Sequence, residues 1–244
     1  MKGLDVLNRA ASAFEYIGNE ILLQSVLETS MYNIQGTHVY LSIVRAYAIE
    51  KNAFHLVEPL EKLARESMDM AKFGKEEIEG GFPTFLSHSS VAMWSAVEAL
   101  VEDILVGAIG DNEIYIGLLK EKYPSLKIKD SHTADMIVKN WGSSLKSKRY
   151  AGDRYVEMLS LIFDGFEIEQ QYVDDISELA EIRNAIMHRM GIVDVRLVEK
   201  FPDRNFNLGD KIIVTKEMYS KYHIACGKFV IKFFDERITR RELI

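Results

Sequence analysis

The chain has 244 residues, 48% of them hydrophobic and 27% charged, and a net charge of −7. That length and apolar content are enough to bury a core and set intrinsic disorder aside, and the negative charge sets aside the broad positive field of a general nucleic-acid binder. No stretch approaches the roughly 20 apolar residues of a membrane span, residues 1–5 open no signal-like leader, and the single cysteine, Cys226, leaves no internal disulfide. The expected setting is the reducing cytoplasm, with Cys226 a small buried apolar residue of the last helix.

Glycine is sparse, and the four prolines, Pro59, Pro83, Pro124 and Pro202, punctuate long segments of helical period, so the expected fold is all-α. Residues 4–27 and 52–73 carry apolar side chains at helical intervals, with Pro59 starting or kinking the second. Between them the β-branched and aromatic run Val39-Tyr40-Leu41-Ser42-Ile43-Val44 reads as a short strand. Residues 74–83, with Glu76-Glu77 and Gly80-Gly81, read as a connector. This divides the chain into an N-terminal helical extension, 1–80, and an α-helical domain, 81–244. Helices are then expected over 87–105 with serines at its start, 113–123 ended by Pro124, 131–141, 153–166, 174–190 opened by Asp174-Asp175 and stopped by Gly191, and from Thr215 to about residue 237.

The helix before Gly191 carries the chemistry. On a wheel, Ile176, Leu179, Ala180, Ile186, Met187 and Met190 fall in one broad arc, and Arg183 lies in its middle. A guanidinium directed into a packed seam must find acceptors, because its charge is costly to desolvate and it does not deprotonate. The carboxylate best placed to supply them is Glu98, at the edge of the inward face formed by Met93, Trp94, Val97, Leu100, Val101 and Ile104 on the helix over 87–105. Asn184 and His188 form an i, i+4 pair on the border of the apolar arc. An arginine for a phosphorane, an imidazole for proton transfer near neutral pH and an amide to orient either make a workable set for metal-free phosphodiester cleavage. The same residues also suit a purely structural role, with Arg183 and Glu98 fixing helix register and His188 an edge histidine.

The string Leu179-Ala180-Glu181-Ile182-Arg183-Asn184-Ala185-Ile186-Met187-His188, followed by Gly191-Ile192-Val193-Asp194, resembles the signature of the HEPN superfamily: Arg, often with Asn after it, then His four to six residues on. Trp94-Ser95-Ala96-Val97-Glu98-Ala99-Leu100 resembles that family's partner helix, and Leu208-Gly209-Asp210-Lys211-Ile212-Ile213-Val214-Thr215 its approach to the last helix. The likeness covers roughly residue 85 to the C-terminus. It implies an all-α, HEPN-like helical bundle that dimerises so that two motifs share a cleft, and a metal-independent endoribonuclease leaving 2′,3′-cyclic phosphate ends. In that role His188 is the general acid or base, Arg183 stabilises the phosphorane, Asn184 positions one of them and Glu98 holds Arg183. Toxin–antitoxin or anti-phage settings follow from the resemblance, with an RNA substrate and a neutralising partner such as an antitoxin. Some members carry a tyrosine two residues after the histidine as a target for nucleotide modification; Met190 stands there, which speaks against that form of control. The alternative implied is a non-catalytic dimerisation or adaptor module.

For RNA contacts outside the motif, the most basic stretch is 139–150 with Arg154, of which Lys146, Lys148, Arg149 and Arg154 are the candidates, interleaved with Trp141 and Tyr150. A solvated interhelical loop accounts for the same composition. His38, His55, His88, His132 and His223 show no metal-ligand spacing, and no Gly-rich phosphate loop or nucleophile elbow is present, so neither a metal nor a cofactor is expected.

Overall fold

The computed structural model describes residues 3–145 and 150–235. Among them the chain is helical and has no strand: α1 (Gly3–Ile34), α2 (Thr37–Glu50), α3 (Val57–Glu79), α4 (Pro83–Asp111), α5 (Glu113–Lys122), α6 (Ala134–Leu145), α7 (Ala151–Ile162), α8 (Gln170–Arg189), α9 (Val195–Lys200) and α10 (Lys216–Ile231). The sole extended pairing among the described residues is an isolated bridge between Ile192 and Lys211. No described helix is long and apolar enough to cross a membrane.

Two compact units result, and neither follows a cut near residue 80: Met1–Glu20, Ser89–Ile212 and Glu217–Ile244 form the first, Ile21–His88 and Ile213–Lys216 the second. The start of α1 thus contributes Val6, Ala10, Ala13 and Ile17 to the core of the larger unit. The six inward residues expected on α4 are all buried there. Phe163, Phe166, Phe229 and Phe233 join α7 to α10 in an edge-to-face and tilted cluster, with centroids 5.2–6.2 Å apart. Cys226 is fully buried beside them in sequence, and burial pushes its thiol up to about 12.

In the smaller unit, residues 39–44 are not a strand but the middle of α2. His38, Leu41, Val44, Arg45 and Ala48 recur at helical spacing as its more buried side, and Arg45 reaches Glu61 of α3 at 3.2 Å. Packing along α3 outweighs the local β preference of valine, isoleucine and tyrosine. The connector expected over 74–83 shrinks to Gly80, Gly81 and Phe82, because α3 continues to Glu79 and α4 begins at Pro83. The cause is Glu77, buried rather than solvated, whose carboxylate accepts the Thr84 backbone N–H at 3.1 Å and so caps the first turn of α4. Pro83 occupies the first helical position, where its missing N–H costs nothing.

Around the candidate motif, α8 begins at Gln170 rather than Asp174, so Asp174 and Asp175 lie within the helix. Its middle turns are buried on every side, from Ile176 through Ile182, as befits a central helix. Its last turn projects outward. Met187 is 56% exposed and Met190 87%, while Ala185 is buried, so the seam read from the wheel does not extend past Arg183. Met190 takes a left-handed conformation (φ 55°) ahead of Gly191 (φ 74°), whose N–H donates to the Ala185 carbonyl at 3.0 Å; this six-residue closure ends the helix.

Candidate functional site

Arg183 sits where the all-round burial of α8 gives way to solvent, and its side chain keeps 23% of its surface exposed. Its guanidinium lies 3.7 Å from the Glu98 carboxylate on α4, an ion pair longer than a hydrogen bond, and donates to the Asn184 side-chain oxygen at 3.2 Å. Its Nε is enclosed without an acceptor among the described residues. Three of the four residues expected at the site, Arg183, Asn184 and Glu98, are therefore brought together.

The fourth stands apart from that network. His188 lies five residues on, about 7.5 Å further along the helix axis and some 140° round it. It is exposed and has no hydrogen-bond partner among the described residues. It shares the projecting last turn with Met187, Arg189 and Met190, and Arg189 is tied to Asp194, which also caps α9 by accepting the Leu197 N–H at 3.0 Å.

Sequence reading passed over Tyr155. This side chain of α7 is buried, stacks on Trp94 of α4 with centroids 5.6 Å apart and planes 14° from parallel, and its hydroxyl approaches Glu98 at 3.5 Å. Burial first, and the Glu98 charge second, push its pKa far above the ordinary phenol range, so it stays a protonated donor to the carboxylate that faces Arg183. Arg154, one of the expected RNA contacts, lies over the Tyr155 ring at 5.4 Å. Glu98, Tyr155 and Arg154 border a cleft of about 220 Å³ whose far rim carries Glu102, Lys139 and Ser143. Arg154 is thus placed beside the motif. Lys146, Lys148 and Arg149 lie outside the described residues.

A second polar centre on α8, also missed, is more deeply buried. Glu178 is 2% exposed; it accepts from the Tyr222 hydroxyl, from Lys221 Nζ, both at 2.7 Å, and from Arg204 Nε at 2.8 Å. Asp175, one turn earlier, lies 3.4 Å from Lys221; burial raises its pKa despite that cation. Glu181 is held by Arg196 at 3.2 Å and by Lys200. The available signal was the i, i+3 repeat of Glu178 and Glu181 among the apolar residues Ile176, Leu179, Ala180 and Ile182, ahead of four cations, Arg196, Lys200, Arg204 and Lys221. Both oxygens of Glu178 accept from protein donors and the other two carboxylates face cations, which marks the centre as structural cement around α8. Among the described residues, no group of three or more His, Cys, Asp or Glu side chains is arranged to hold a metal ion.

A larger groove of about 680 Å³ runs between α1 and α4, lined by Asp5, Arg9, Tyr16 and Asp103 among others, and touches none of the motif residues. No family model matches the sequence, and neither a curated protein nor a solved structure matches it.

Proposed function

We propose that the chain is a metal-independent endoribonuclease of HEPN type, acting as a homodimer whose two α8 termini share one cleft. The observation that carries this reading is Arg183: a guanidinium at the rim of the core, held by Glu98 and Asn184 with part of its surface still open, on the same helix end as an unpartnered, solvent-facing imidazole. In such a site the RNA 2′-oxygen loses its proton and bonds to the adjacent phosphorus. The P–O5′ bond breaks and the 5′-oxygen takes up a proton, leaving a 2′,3′-cyclic phosphate and a 5′-hydroxyl. His188 moves one of these protons, and a second His188 from the other protomer is available for the other. Arg183 faces the charge gathered on the phosphorane, and Asn184 and Glu98 fix its rotamer. The apolar Met187 and Met190, exposed on either side of His188, support a protein–protein contact at this end of the helix. Arg154 supplies a phosphate contact beside the cleft. A toxin or anti-phage effector role, with a neutralising partner, accompanies this reading.

The test is cleavage of total RNA or tRNA in EDTA. Wild-type protein is expected to leave cyclic phosphate ends, and His188→Ala to cut at least about 100-fold more slowly with unchanged thermal stability, since the side chain is exposed. No cutting by wild type, or equal cutting by the variant, overturns the reading. The non-catalytic adaptor reading is favoured by one observation, that Arg183 is already partnered within its own protomer. It predicts that Arg183→Ala weakens the fold or the dimer while His188→Ala has no effect on either.

A further inference from the structure

A helix that is apolar all round is normally buried all round. In α2 one side packs along α3, and the opposite side is also apolar: Val39 is 51% exposed, Tyr40 67%, Ile43 62% and Tyr47 59%, with Ala46 between them. On the wheel these five span about 120° without a charge among them. The charged residues nearest this stripe are Glu50, at the last position of the helix, where a carboxylate is disfavoured by the helix dipole, and Lys51 just beyond it, whose ammonium lies 5.4 Å over the Tyr47 ring and makes an exposed ion pair with Glu50 at 3.6 Å. At the other end, the Gly36 N-cap offers no side-chain acceptor to the first N–H groups.

We propose that this stripe docks on the same stripe of a second copy of the chain, with the two α2 helices antiparallel and Ile43 on the two-fold axis. The sequence is self-complementary about that point. Tyr47 falls opposite Val39 of the partner subunit, Tyr40 opposite the partner's Ala46, so that each large ring faces a small side chain. Glu50 falls opposite Gly36 of the partner subunit, bringing a carboxylate to an uncapped helix N-terminus, which is the charge complementarity that an antiparallel pair supplies and a parallel pair lacks. From the residue exposures, each protomer can bury about 500 Å² and the pair about 1,000 Å², the lower end for a specific interface, so the dimer is a weak one. Tyrosine-rich, charge-free composition suits such a contact. The inference does not depend on the nuclease reading, which concerns the end of α8.

Two measurements on the full chain decide it. Mild oxidation of Ile43→Cys is expected to link most of the protein into disulfide dimers on a denaturing gel, since residues on a two-fold axis meet, while wild-type protein, whose Cys226 is buried, stays unlinked. Light scattering over a concentration series reaching about 500 µM, where even a weak pair is mostly assembled, is expected to show the wild-type mass rising toward twice that of Ile43→Glu, with helical circular dichroism retained because position 43 faces solvent. A monomeric wild type, an Ile43→Glu mass equal to wild type, or no cross-link at position 43 overturns the proposal. So does a monomer that instead pellets with anionic phospholipid vesicles, which would assign the stripe to a lipid surface. Cleavage assays on Ile43→Glu then report on the nuclease reading separately.

Discussion

At Glu178 a full negative charge is held at 2% exposure by a phenol, an ammonium and a guanidinium. Glu178→Gln keeps the shape and removes the charge, leaving Lys221 and Arg204 facing a neutral amide. The expected cost is about 3 kcal/mol, or roughly a 10 °C fall in Tm for a chain of this size, read by thermal unfolding. A fall under about 2 °C would show that the cations relax to solvent at little cost. Arg183 and Glu98 stand in contrast, because both keep contact with water, and an ion pair of that kind contributes far less to stability. Their pairing was foreseen from two helical wheels, since a guanidinium near a packed face demands an acceptor. Tyr155 was not, since nothing in a tyrosine's sequence neighbourhood says that its hydroxyl will reach a carboxylate 57 positions away.

Among the elements, α7 and α8 approach so closely at Gly152 that a Cβ there would lie 2.3 Å from the Val173 carbonyl oxygen and 2.8 Å from Ser177 Oγ. The Gly152 N–H donates to that same hydroxyl at 3.0 Å. The obstructing atom is backbone, so it cannot swing aside. Gly152→Ala is expected to cost about 3 kcal/mol, or to yield insoluble protein, whereas Gly117→Ala, with open space at its Cβ and no need for a left-handed backbone, is expected to be neutral or slightly stabilising. Parallel melts of the two variants check this, and equal Tm values would refute the close contact. The strand expected over 39–44 failed at this scale, because short β-branched runs fit a helix as well as a strand when a neighbouring helix buries one side. The connector expected over 74–83 failed because Glu77 looked solvated in sequence and is buried as the cap of α4.

For the whole molecule, four buried acids hold their protons more tightly in the folded chain than they would in an unfolded one. Burial raises Cys226 from about 9 to about 12 and Tyr219 from about 10 to about 12; it moves Tyr155 and Tyr222 upward still further, with Glu98 and Glu178 adding to the effect. The folded state therefore binds more protons than the unfolded state once pH passes the ordinary values of these groups, and stability falls with rising pH. Tm is expected to be level from about pH 7 to 8.5 and to fall progressively above about pH 9. Tyrosinate absorbance should lag behind that of free tyrosine until the chain unfolds. A common titration midpoint near pH 10 for all the tyrosines of the folded protein would contradict the burial of Tyr155, Tyr219 and Tyr222.

Sequence alone determined the all-helical class, the inward face of α4, the burial of Cys226 and the need of Arg183 for an acceptor. Each of these follows from periodicity or from the cost of an unpartnered charge, and both act over a few turns of a single helix. Tertiary structure alone decided which half of α1 belongs to which unit, that the middle of α8 is enclosed on all sides while His188 projects, and that Glu178 and Glu181 are buried against cations. Those outcomes depend on which helices meet, and the contacts between residues far apart in the chain that bring them together leave no local pattern to read.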